Sequence, residues 1–161
     1  MQALAWLVLM TLLVIFFTDL LQKQHNPNQS LDTRIATDGM REVVLTRNRA
    51  GHYVTDGMIN GEPVVFMLDT GATGVAIPLD VAQRIGVQRG RPMQTQTANG
   101  MATSYTATLD SVSVGGIELN EVAAGIVPGL RTSEVLLGMS FLRHIEFTQR
   151  GNTLILRQYP N

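Results

Sequence analysis

The chain of 161 residues contains no cysteine. Disulfides, thiolate nucleophiles and thiolate-held metals are therefore excluded. Charge is sparse as well: 16% of residues are Asp, Glu, Lys or Arg, and the net charge is −1. The basic residues are scattered, whereas a nucleic-acid surface needs them clustered, so nucleic acid is not an expected partner. There is no internal repeat and no low-complexity segment. His52 and His144 have no second His or carboxylate at ligand spacing, so no metal site is expected. Gly71-x-x-Gly74 lacks the third glycine and the lysine of a phosphate cradle. Gly138-Met139-Ser140-Phe141-Leu142 lacks the last glycine of a nucleophile elbow, and Ser140 reads as an ordinary helix residue.

What is present starts with one long apolar run. Ala3 to Phe17 has Thr11 as its sole polar member, and extension to Leu21 gives the ~20 residues that cross a bilayer. A cleavable signal would want a basic start and small residues at a cleavage site. Neither is there, so residues 1–21 are read as a retained anchor. Lys23 and Arg34 follow it, but Asp19 and Asp32 offset them and leave its orientation weakly specified. Residues 22–40 are polar and without an apolar period. They are expected to form a flexible tether with a root-mean-square span of roughly 25 Å. The folded domain is placed at 41–161.

Within that domain the signals are mainly those of strands. Glu42 to Thr46, His52 to Ile59 and Glu62 to Leu68 come first, the last two joined by the hairpin dipeptide Asn60-Gly61. A short helix fits Leu79 to Ile85, stopped by Gly86. Met93 to Ala98 and Met101 to Leu109 flank Asn99-Gly100 as a second hairpin. Its arms are rich in Thr and Gln, which suits a ribbon projecting into solvent. Gly115-Gly116 turns a third hairpin between Ser111–Val114 and Ile117–Ala123. A short buried strand at Glu134 to Leu137, a helix at Met139 to His144, and strands at Ile145–Thr148 and Thr153–Tyr159 complete the chain. The expected fold class is a small, mostly β, closed domain with one or two short helices.

One tripeptide stands out. Asp69-Thr70-Gly71 occurs once, directly after the apolar run Val64 to Leu68. A charge at the end of a buried strand is costly unless something pairs with it or chemistry requires it. The plain alternative is an Asx turn. Asp38-Gly39 and Asp56-Gly57 read as such turn dipeptides, and Asp32-Thr33-Arg34 carries Arg where the glycine is needed.

Asp69-Thr70-Gly71-Ala72-Thr73, then a hairpin tipped by Asn99-Gly100, then Leu136-Leu137-Gly138 before a short helix, resembles the retropepsin-like aspartic peptidases. It is most similar to their bacterial membrane-anchored branch. The resemblance covers roughly Glu42 to Tyr159. It implies Asp69 as catalytic carboxylate, Thr70 bonded across a dimer axis, and Gly71 allowing close approach to the facing carboxylate. It implies that Ala72, Thr73 and the flap-tip residues Thr97, Ala98, Asn99 and Gly100 meet substrate, with Leu136, Leu137 and Gly138 supporting the loop beside them. Retroviral members have a further Asp where this chain has Thr73, so their substrate preferences do not carry over. One motif per chain implies a homodimer, in which two carboxylates share a proton and activate a water.

Two functions follow from that resemblance. One is a membrane-anchored homodimeric endopeptidase, without cofactor or metal, acting on a peptide or protein substrate in the cell envelope. The other is a non-catalytic homodimeric binding or assembly module of the same fold. The expected location is the bacterial inner membrane, single-pass, with the protease domain in the periplasm.

Overall fold

The computed structural model describes residues 2–97 and 100–160. Helix α1 (Gln2–His25) has no buried residue. Apolar side chains surround it on all sides, as in helices that sit in an apolar medium rather than against a core. Thr11 and Thr18 return their hydroxyls to the Leu7 and Val14 carbonyls at 2.9 and 2.8 Å, so both polar groups are satisfied within the helix. Twenty-four residues rise about 36 Å, which is long enough to cross a membrane.

The residues after the helix differ from expectation. They do not form a free coil: from Asn26 onward they are bonded into the domain. The Asn28 side chain donates to the Thr46 and Val54 carbonyls at 2.8 and 2.7 Å and accepts the Thr46 amide at 2.7 Å. Asn48 donates to the His25 carbonyl, and Asn26 to the Asp56 carboxylate at 2.7 Å. Burial pushes the Asp56 carboxyl above the ordinary range, while the Asn26 bond pulls the other way. Strand β1 (Thr33–Ile35) then pairs antiparallel with β2 (Arg41–Thr46). Polar composition had suggested a solvated linker. Here the same amides serve as side-chain substitutes for a missing backbone ladder.

Two sheets make up the domain. β2 also pairs with β11 (Thr153–Gln158), which pairs with β10 (Glu146–Arg150), giving the four-stranded order β1-β2-β11-β10. Arg157 lies between Glu42 at 2.8 Å and Glu146 at 2.9 Å, bridging three of those strands. The second sheet holds β3 (Val54–Ile59), β4 (Glu62–Leu68), β5 (Val75–Pro78), β6 (Pro92–Thr97), β7 (Gly100–Val114), β8 (Ile117–Val127) and β9 (Val135–Leu137). Its order is β3-β4-β9-β5-β8-β7-β6, and β3 pairs again with β7, curling the sheet around its core. Phe66, Ile77, Leu109, Ile126, Leu137 and Phe141 are fully buried there.

The turns follow their residues. Asn60 and Gly61 both have positive φ, as the two-residue hairpin requires. Asp56-Gly57 is not a turn but the middle of β3. A Cβ at Gly57 would lie 2.4 Å from the Ser113 carbonyl and 2.6 Å from the Phe66 ring, so glycine is needed for close packing rather than for bending. Two expected strands merge: Met101–Leu109 and Ser111–Val114 are one continuous β7, because no glycine or proline interrupts them. β5 was not anticipated, being four residues long. The helices are shorter than expected, α2 at Leu79–Arg84 and α3 at Met139–Leu142.

Candidate active site

Strand β9 lies between β4 and β5, parallel to the first and antiparallel to the second. The chain must therefore leave β4, pass over the end of β9 and return as β5. Residues 69–74 make that crossing, and Asp69 is its first residue. β4 and β5 run antiparallel but have β9 between them, so no tight hairpin joins them and the loop stands above the sheet end instead of folding back.

Backbone bonds hold the loop from beneath. The Asp69 amide donates to the Leu137 carbonyl at 3.2 Å, the Ala72 amide to the Asp69 carbonyl at 3.2 Å, and the Met139 amide to the Ala72 carbonyl at 2.8 Å. Ser140 adds a side-chain clamp, accepting the Val75 amide at 3.0 Å and donating to the Ala123 carbonyl at 2.7 Å. Its role was not legible in a lone helical serine. Its place two residues after Gly138 was the available signal.

The Asp69 carboxylate is half-buried and accepts the Gly71 amide through Oδ1 at 2.9 Å. A Cβ at Gly71 would stand 3.2 Å from that oxygen, so glycine keeps the carboxylate uncrowded. Oδ2 has no hydrogen-bond partner among the described residues. Such a group can accept a proton or a water through one oxygen while the other is held in place.

A cleft of about 670 Å³ opens beside it. Asp69, Gly71 and Ala72 form one side, and Gln96, Met101 and Ala102 of the β6–β7 hairpin form another. Leu136 contributes from β9, and the segment after β8 supplies Val127, Gly129, Leu130, Arg131 and Thr132. The lining is mainly apolar, with Arg131 its one cation among the described residues.

Of the residues expected at the site, Asp69, Gly71, Ala72 and Leu136 line the cleft. Thr70 and Thr73 are exposed on the same loop and do not line it. Leu137 and Gly138 are buried beneath the loop and do not line the cleft. The backbone of Thr97 pairs with Gly100 across the hairpin. Ala98 and Asn99, expected at the flap tip, lie outside the described residues. Sequence reading missed residues 127–132. Pro128-Gly129, a turn signal between two strands, marked a segment there without indicating that it returns to the motif.

A profile of the family described as "gag-polyprotein putative aspartyl protease" matches residues 55–144. An uncharacterised protein from the cobV 5′ region of a Sinorhizobium species is 32% identical over 125 residues, 75% of this chain and 54% of that protein. An uncharacterised protein of Rickettsia prowazekii (strain Madrid E) is 29% identical over 122 residues, 73% of this chain and 52% of that one. The chain thus spans about half the length of the curated relatives it matches. Among solved structures, a retropepsin-like aspartic protease from Rickettsia conorii superposes with a TM-score of 0.62 at 28% identity. The match covers 80% of this chain and 94% of that one.

Proposed function

The chain belongs to the gag-polyprotein aspartyl protease family and has a retropepsin-like fold; from that premise we propose that it is a membrane-anchored homodimeric aspartic endopeptidase. The observation that carries this reading is the Asp69 carboxylate, held by the Gly71 amide on a loop whose Asp69 amide is fixed to the Leu137 carbonyl, at the side of an apolar cleft. One copy offers a single such carboxylate, so the site is complete only when Asp69 of a second copy faces it. The exposed Thr70 and Gly71 leave that side of the loop open to a partner.

In the assembled pair, one carboxylate is ionised and the other holds a proton. The ionised group takes a proton from a water as its oxygen adds to the peptide carbonyl carbon. The protonated group gives its proton to the carbonyl oxygen. As the carbon–nitrogen bond breaks, the leaving nitrogen takes a proton from the pair, a hydroxyl on the former carbonyl carbon returns one to the pair as the new carboxyl forms, and one shared proton is in place for the next cycle. The apolar lining favours apolar side chains beside the scissile bond and excludes competing water.

A two-copy site makes activity depend on association. Specific activity is expected to fall on dilution, in step with the dimer fraction measured by sedimentation. Full activity from a stable monomer would rule out the shared site.

We place α1 in the bacterial inner membrane as a single span, with the domain in the periplasm and substrates among membrane-proximal envelope segments. The bonds at Asn26, Asn28 and Asn48 support the membrane-proximal part of this reading by holding the domain close to the helix end. A reporter active only outside the cytoplasm, fused after Asn161, is expected to give signal. Silence there, with a cytoplasmic reporter active at the same position, reverses the orientation.

A further inference from the structure

Glu134 is the one buried charged side chain among the described residues, 7% exposed, and the chemistry at Asp69 makes no use of it. A buried carboxylate is unfavourable unless both oxygens are partnered. Here the two oxygens face different parts of the molecule. Oε1 lies 2.6 Å from His25 Nε2, at the last residue of α1, and accepts the Ser133 hydroxyl at 3.3 Å. Oε2 accepts the Thr132 hydroxyl, and the Glu134 amide donates back to Thr132 Oγ1 at 3.2 Å.

Both chain directions from Glu134 lead to the site. Two residues before it, Thr132 is in the cleft wall, and two residues after it, Leu136 is in the cleft as well. The next residue, Leu137, offers the carbonyl that holds the Asp69 amide. The far side of Glu134 opens on a cavity of about 640 Å³ shared with Gln22, His25, Asn26 and Asp56, where the helix end meets the domain.

We propose that Glu134 is a positioning residue that ties the end of the anchor helix to the wall of the substrate cleft, so that the helix sets the affinity for peptide. The proposal rests on the protease reading for its substrate but not for the physical link itself. Thr132 and Arg131 line the cleft away from the loop that bears the reacting carboxylate. Loosening them weakens ground-state and transition-state binding alike, raising KM and sparing kcat. A purely structural Glu134 would lower thermal stability without that split.

The test uses the full chain in detergent micelles, with amide hydrogen exchange and the kinetics of an apolar peptide as readouts. His25→Ala changes a part-exposed partner and carries the test should Glu134→Gln fail to fold. His25→Ala is expected to speed exchange at residues 129–133 and to leave β10 and β11 unchanged. KM is expected to rise about fivefold with kcat held within about twofold, the scale of a coupling transmitted through packed residues. Adding Glu134→Gln to His25→Ala should raise KM no further than Glu134→Gln does alone, and His25→Gln, which can still donate, should restore most of the loss. Parental exchange at 129–133 in His25→Ala overturns the proposal, as does a fall in kcat at constant KM. A parent chain that cleaves no peptide refutes the protease reading alone, because the exchange experiment decides the link by itself.

Discussion

Replacing Asp69 with asparagine is expected to slow peptide cleavage by at least about 10³-fold, the scale of losing a positioned acid or base, while the dimer persists. The substitution keeps shape and nearly keeps volume. The asparagine carbonyl oxygen can still accept the Gly71 amide that Oδ1 now holds at 2.9 Å, so the loop geometry has no reason to change. Asp69 forms no ion pair among the described residues, and its neutralisation strands no opposite charge there. What the amide cannot do is take the proton from an attacking water. Chromatographic assay of product beside a sedimentation run separates the two effects. Cleavage at more than about a tenth of the parental rate would move the chemistry to another residue, since a group at its centre carries far more than that.

Gly138→Ala is expected to have the largest effect on stability, about 3 kcal/mol of destabilisation. Its backbone lies in an extended conformation open to any residue, so the penalty is one of space. An added Cβ would stand 2.2 Å from the Gly74 carbonyl oxygen and 2.6 Å from that of Ala72. Both are backbone atoms of the active-site loop and neither can rotate aside. Relief would require lifting the loop off α3, breaking the bond from the Met139 amide to Ala72. Gly129→Ala is the control: nothing lies within 4 Å of its Cβ position, and a change within about 0.5 kcal/mol is expected there. Urea unfolding of the two variants in parallel measures the contrast. Equal stability in both would show that the crossing under the loop is slack.

That crossing also shows what could be read from the residues. The apolar run before Asp69, the Asn60-Gly61 turn and the glycine after Leu136-Leu137 are local signals, and each marked its element correctly. The misread segments are those whose state is decided by distant partners. Residues 26–35 look like a linker because their amides satisfy backbone groups at Thr46 and Val54, which no local pattern reveals. Asp56-Gly57 looks like a turn because its need for glycine comes from Phe66 and the Ser113 carbonyl across the sheet. The cleft wall at 127–132 is irregular chain without periodicity, and its role comes only from where β9 begins. The carboxylate announced itself, while its surroundings came from long-range pairing.

The four-stranded sheet bears on how the protein is born. β2 is synthesised early, but its partner β11 follows far behind it, with Glu42 and Arg157 separated by 115 positions. The motif at 69–71 likewise waits for Leu137 and Gly138 before anything beneath it holds it. A nascent chain that has exposed the tripeptide still lacks the scaffold beneath it, and pairings this distant close late and slowly. The motif therefore gains its support only once β9 and Gly138 have been made, and a chain cut short before β9 is released without it.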